Sequence, residues 1–218
     1  MKTILIFIGI LAFMEGCHSS FNQVPPDPNA TATTVPHNII GGGCDGCELM
    51  FEGMPDKMDW IDTLADKQEA GTRIEVSGTV YHSDGTTPAE GVIVYFYNTD
   101  AKGYYSPGKD QKTGLRNGHL RGWIRTNALG QYKICTIQPA PYPGASIPAH
   151  IHCTIKEPHL NEYYVDEIEF EDDHFLTDEL KQQRKKRGGS GIVTLSKNQN
   201  GVLLYKRDII LGLNIPGY

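Results

Sequence analysis

The 218-residue chain is long enough for one domain with additional sequence and short for two of ordinary size. Apolar residues make up 39% and charged residues 21%, which supports a packed core and excludes wholesale disorder. A formal net charge of −6 argues against a nucleic-acid partner, and no glycine-rich phosphate-binding motif is present.

Met1-Lys2 opens an apolar run, Ile4–Met14, about half the ~20 residues that a spanning helix needs. A basic start, a short apolar stretch and a small residue before a cut site read as a secretory signal over residues 1–16. Its Gly16-Cys17 end resembles a bacterial lipoprotein signal. That resemblance implies a lipid on Cys17 and an exported protein tied to a bacterial membrane by that anchor alone, in the periplasm or at the cell surface. Glu15 is an unusual neighbour for such a site, and simple cleavage near Cys17 is the plainer alternative.

Residues 17–40 are rich in Ser, Asn, Pro, Thr and Ala and read as a flexible tether. Residues 41–71 form an N-terminal arm, and 72–218 the main domain. Within the arm, Cys44-Asp-Gly-Cys47 reads as a structural disulfide or two free thiols. No thioredoxin-like βαβ pattern surrounds it, and no second pair supplies a zinc site. Asp56–Asp66, holding Met58, Trp60, Ile61 and Leu64, suits a short helical turn or a packed arm.

From Thr72 the pattern turns to strands. Ile74, Val76, Gly78 and Val80 alternate with polar residues before the Asp84-Gly85 turn. Val92–Tyr97 is apolar or aromatic on both faces, as in a buried strand. Further strands are predicted near 120–126, 131–137, 149–156, 163–170, 191–196 and 201–211, the last two flanking the hairpin signal Asn198-Gln-Asn-Gly201. Thr177–Arg187 is the one helical candidate, with Thr177 as its cap and Lys181–Arg187 as a solvated basic run. Strands at this spacing, with Gly (24) and Pro (13) frequent, predict an all-β fold, a β-sandwich with long loops and little helix.

The chemistry concentrates between residues 103 and 152. In a strand, residues i and i+2 share a face, so His150 and His152 project side by side about 6.5–7 Å apart while Ile151 faces the core. Two such imidazoles converge on one metal or form a plain polar pair, and the spacing alone does not choose. Tyr142 stands between Pro141 and Pro143, which stiffen its loop.

Thr136-Ile-Gln-Pro-Ala-Pro-Tyr-Pro143, Pro148-Ala-His-Ile-His152 and Gly103-Tyr-Tyr105 together resemble the intradiol ring-cleavage dioxygenases, the protocatechuate 3,4-dioxygenase and catechol 1,2-dioxygenase group. The resemblance covers roughly residues 72–170 and the end strand Leu204–Leu211. It implies one non-haem Fe(III) held by Tyr105, Tyr142, His150 and His152. It further implies a small aromatic diol and O₂ as reactants, cleaved between the two hydroxylated carbons. By the same resemblance Tyr142 would take the catalytic part, released on substrate binding and accepting a substrate proton. Hard phenolate oxygens suit a hard ferric ion, which must stabilise phenols whose free pKa is about 10.

Two positions depart from the family. Ile147 stands where members carry Arg, and Glu167 where they carry Gln. Both changes make the substrate pocket more negative, and Arg116, His119, Arg121 or Arg125 are the cations that could compensate; each also suits a surface or sheet pairing. Two other readings compete. One is a non-catalytic exported β-sandwich binding module that keeps the metal site or has lost activity. The other is a zinc hydrolase using His150, His152 and a third group, His119 or Glu167, although tyrosine pairs are unusual zinc ligands. The oligomeric state is open.

Overall fold

The computed structural model describes residues 39–218. The predicted signal segment, Cys17 and nearly all of the tether lie outside the described residues.

Two sheets stack into a sandwich. The first contains β1 (Ile61–Thr63), β5 (Gln131–Ile137), β2 (Arg73–Tyr81), β10 (Val202–Lys206) and β9 (Leu195–Gln199) in that order, with β11 (Ile209–Ile210) also paired to β2. The second runs β4 (Arg121–Arg125), β3 (Ile93–Asn98), β6 (His150–Lys156), β7 (Tyr163–Phe170) and β8 (Ile192–Val193). β1–β5, β2–β10, β2–β11 and β7–β8 are parallel and the other pairings antiparallel. The predicted hairpin is present, β9 returning as β10 around Asn200-Gly201.

The period-2 pattern builds the core. Ile74, Val76 and Val80 from β2, Val94 and Phe96 from β3, and Ile151, Cys153 and Ile155 from β6 all lie in one buried cluster between the sheets. Each such aliphatic contributes about 1.5–3 kcal/mol relative to an exposed position. The alternate residues of β3, Ile93 and Tyr95, with Tyr97, turn to the outer face of the second sheet. There they pack with Met50, Met54, Met58 and Trp123. This explains why β3 reads as apolar on both sides. The arm covers that outer face, fixed by Trp123 Nε1 donating to the Met50 carbonyl oxygen at 2.6 Å.

Two local expectations need correction. Of the two readings of Asp56–Asp66, the helical turn is absent and the segment packs as an arm; its centre is β1, which Asp62 ties to the second sheet by accepting the Trp123 amide at 3.0 Å. The helix α1 spans only Asp178–Gln183, capped as expected by Thr177 Oγ1 accepting from the Leu180 amide at 3.3 Å. Beyond it the basic run is not simply solvated. Arg184 pairs with buried Glu169, and Arg187 is itself buried over the Tyr164 ring. These partners pull the chain out of helical geometry.

Candidate metal centre

Strand β6 carries the two histidines on the outer face, opposite the core-facing Ile151 and Cys153. His152 lies against Tyr97 of β3 in register, their rings stacked with centroids 4.3 Å apart. On the other side His150 faces Glu169 of β7. Between Ile151 and Cys153 the β6–β7 register shifts, so Asp166 and Glu167 together oppose His152.

Two loops bring the tyrosines. Asp100 organises the first: Ser106 Oγ donates to Asp100 Oδ2 at 2.7 Å, and the Tyr104 amide to Asp100 Oδ1 at 3.1 Å. Gly103 has a φ of +85°, and a Cβ there would lie 2.1 Å from the Pro141 carbonyl oxygen. Only glycine lets the Tyr105 loop close on Pro141-Tyr142-Pro143. The second loop is held at its far end by the Ala149 amide donating to Asp173 Oδ2 at 2.8 Å.

The four predicted ligands converge. Tyr105 OH is 2.6 Å from Tyr142 OH and 2.9 Å from His152 Nε2. Tyr142 OH is 3.1 Å from His150 Nε2, and the two Nε2 atoms are 3.1 Å apart. His150 Nδ1 must donate to the Pro148 carbonyl oxygen at 2.8 Å, so in the neutral ring Nε2 carries a lone pair. His152 Nδ1 faces Glu167 Oε1 at 3.6 Å, which favours the same tautomer. Two phenol protons then serve only two of the four contacts, and lone pairs confront each other across the rest. A cation at the centre resolves this. Donors sharing an ion at roughly 2.0–2.2 Å stand about 3 Å apart, as these do. The donor set of two phenols and two imidazoles therefore fits a ferric ion.

The electrostatics agree. Burial, followed by the hydrogen bond to Tyr142, holds the Tyr105 phenol far above its usual range; burial also raises Tyr142. Burial, with His150 beside it, pushes the His152 imidazole down to about 3, so it stays a neutral donor. The phenols need a metal's charge to ionise near neutrality.

The remaining predicted positions separate. Glu167 is partly exposed beside His152. Ile147 lies 46% exposed on the loop between Tyr142 and His150. Of the four compensating cations, His119 binds Glu69 at 2.7 Å, Arg121 reaches Thr113 and lies over Trp123, and Arg125 reaches the Gly91 carbonyl oxygen. Arg116 alone comes to the site's rim, through Asp45. His119 is thus engaged elsewhere, and Glu167 sits behind the far nitrogen of His152, so neither completes a zinc triad. Among the described residues no cluster of three or more His, Cys, Asp or Glu is arranged for a metal. Sequence reasoning missed the Arg184–Glu169 pair and the part played by the Gly43–Cys47 loop. The Cys44–Cys47 disulfide is formed, and Cys135 and Cys153 are free.

A β-sandwich presenting a two-tyrosine, two-histidine donor cluster on its outer face defines a class, and comparison with known proteins gives the family. A family model described as "Dioxygenase" matches residues 52–211. The chain belongs to this family, the intradiol dioxygenases that its motifs resemble. Its fold is similar to the dioxygenase domain of a dioxygenase–carbohydrate-binding protein fusion from Streptomyces sp. SirexAA-E: TM-score 0.53, 20% identity, 72% of this chain and 91% of that one. It is also similar to catechol 1,2-dioxygenase from Acinetobacter sp. ADP1, with a TM-score of 0.56, 20% identity and 70% of this chain covered. An intradiol ring-cleavage dioxygenase from Tetranychus urticae matches at a TM-score of 0.51 and 18% identity, over 72% of this chain and 88% of that one. The match spans only 57% of the catechol 1,2-dioxygenase.

Proposed function

We propose that this protein is a non-haem Fe(III) dioxygenase that cleaves a small catechol-type diol between its two hydroxylated carbons, using O₂. The observation that carries this reading is the closed ring of Tyr105, Tyr142, His150 and His152 donor atoms, at 2.6–3.1 Å from one another. Ferric iron held there supplies the charge that ionises the phenols and activates the diol toward O₂.

The protein's own groups divide the remaining work. His150 is fixed by the Pro148 carbonyl oxygen, and His152 by stacking on Tyr97, so both present a lone pair without rearrangement. Tyr105 is the more deeply buried phenol and is locked by the loop that Asp100 organises. Tyr142 stands on the proline-flanked loop, less buried, which supports its part as the group that leaves its position and, as a phenolate, accepts a proton from an incoming diol hydroxyl. The same proposal places the protein outside the cytoplasm, attached to a bacterial membrane through lipid on Cys17; the Ile4–Cys17 pattern supports this.

The test is the colour and metal content of purified protein. The expected result is a reddish protein with about one iron per chain. It should convert catechol to a ring-opened diacid, and Tyr105→Phe should weaken the visible band. Colourless protein that takes up only zinc after iron loading would overturn the assignment.

A further inference from the structure

Beside His152 the outer face opens into a cavity of about 320 Å³, within the range of small-ligand sites. One wall is the sheet, with Tyr97, His152, Tyr164 and Glu167; the other is the Gly43–Cys47 loop of the arm. That loop is closed by the Cys44–Cys47 disulfide. Asp45 accepts two bonds from Arg116, at 2.7 and 3.2 Å. Arg116 belongs to the turn Leu115–Asn117, and the next residue, Gly118, packs directly on the Tyr105 backbone. The loop is therefore braced against the segment that positions a donor.

The charges around this cavity are unequal. Among the described residues it is lined by two carboxylates, Asp45 and Glu167, and by no Lys or Arg. Asp45 is neutralised by Arg116. Of the other cations on this side, Arg184 closes on Glu169 with two bonds, Arg187 binds the Gly41 and Tyr164 carbonyl oxygens while stacked over the Tyr164 ring, and Lys185 and Lys186 are exposed outside the cavity lining. Asp166 is buried, accepting the Lys186 amide. Glu167 has His152 Nδ1 at 3.6 Å and, among the described residues, no Lys or Arg within 4 Å, and its side chain is 41% exposed. The uncompensated charge that a ligand meets is negative.

Resting on the ring-cleavage reading, we propose that this cavity receives the diol's ring substituent and that Glu167 makes it select a substituent bearing a cationic amine. A diol bound next to His152 has its substituent directed either along this cavity or out to solvent. Inside, an ammonium about 6 Å from Glu167, at an effective dielectric between that of protein surface and water, gains roughly tenfold over a neutral group, and a carboxylate loses a similar factor.

The experiment is an anaerobic titration of the iron-loaded full chain, followed by visible absorption, with three diols of similar size: 4-(2-aminoethyl)catechol, 4-ethylcatechol and 3-(3,4-dihydroxyphenyl)propionate. The amine should bind about tenfold tighter than 4-ethylcatechol, and the acid about tenfold weaker. Glu167→Gln, which keeps an acceptor for His152, should bring the amine and ethyl affinities to within about twofold. Asp45→Asn, which frees Arg116 at the rim, should move the preference toward the acid; iron content is measured for each variant. Acid binding as tight as amine binding in the unmodified protein would overturn the proposal, as would ratios unmoved by either substitution. Failure of all three diols to change the spectrum would instead remove the ring-cleavage reading, and the selectivity with it.

Discussion

Replacing Gly103 by alanine tests how the two tyrosine loops are joined. A non-glycine residue at φ +85° costs about 1–2 kcal/mol for its left-handed backbone. The new Cβ would also fall 2.1 Å from the Pro141 carbonyl oxygen and 2.9 Å from Pro143 Cδ, neither of which is a flexible side-chain end. Forcing these apart adds about 1–3 kcal/mol, the usual cost of overpacking. The total is about 2–5 kcal/mol. Gly144 supplies the control: its φ is +77°, but nothing lies within 4 Å of a Cβ there, so only the backbone contribution of about 1–2 kcal/mol applies. Urea unfolding of both variants without added iron gives the two costs. Gly103→Ala should also weaken the iron-dependent colour, because separating the loops moves Tyr105 and Tyr142 from their 2.6 Å contact. Equal costs for the two variants, or a Gly103→Ala protein of unchanged stability and colour, would refute the close-approach argument.

Glu169→Ala should destabilise by about 3 kcal/mol in the same assay, because it strands Arg184 beside a buried site; replacing both residues by apolar ones of similar size should cost less. Ile147→Arg should raise kcat/KM on a carboxylated catechol several-fold, provided the new cation reaches the pocket: a quarter of the ~4 kcal/mol for charges 4 Å apart at a dielectric near 20 is sufficient. An unchanged ratio of carboxylated to neutral substrate would show that Ile147 does not face the ring. Cys17→Ser should transfer the protein from the membrane fraction to the soluble one, and unchanged sedimentation would show that lipid at that residue is not the anchor.

What the sequence revealed, and what it concealed, follows the range of the interactions. The histidine face was legible because alternation is local: Ile151 and Cys153 are buried, and the neighbours at 150 and 152 must point the other way. The proline-flanked Tyr142 was legible for the same reason. β1 was hidden because three residues carry no period, and its identity comes from pairing with Cys135 and its neighbours far along the chain. The end of α1 was misjudged because Glu169 and Tyr164 capture Arg184 and Arg187, and tertiary partners override helix propensity. Asp45 gave no local signal at all. Its place over the cavity depends on Arg116, 71 residues away.

The parallel pairing of β10 with β2 sets a schedule for folding. Leu203 lies against Ile74 and Tyr205 against Val76, so the central strand of the six-stranded sheet acquires its second neighbour only from near the end of the chain. Such non-local pairs are reached late, after a costly loop closure, and place this domain among the slow folders. Until then β2 presents an unpaired edge to any other chain with a free strand. A nascent or clipped product ending before Val202 would have the donor strand β6 in full and still lack a finished sheet, and its unpaired edge favours association with its own kind.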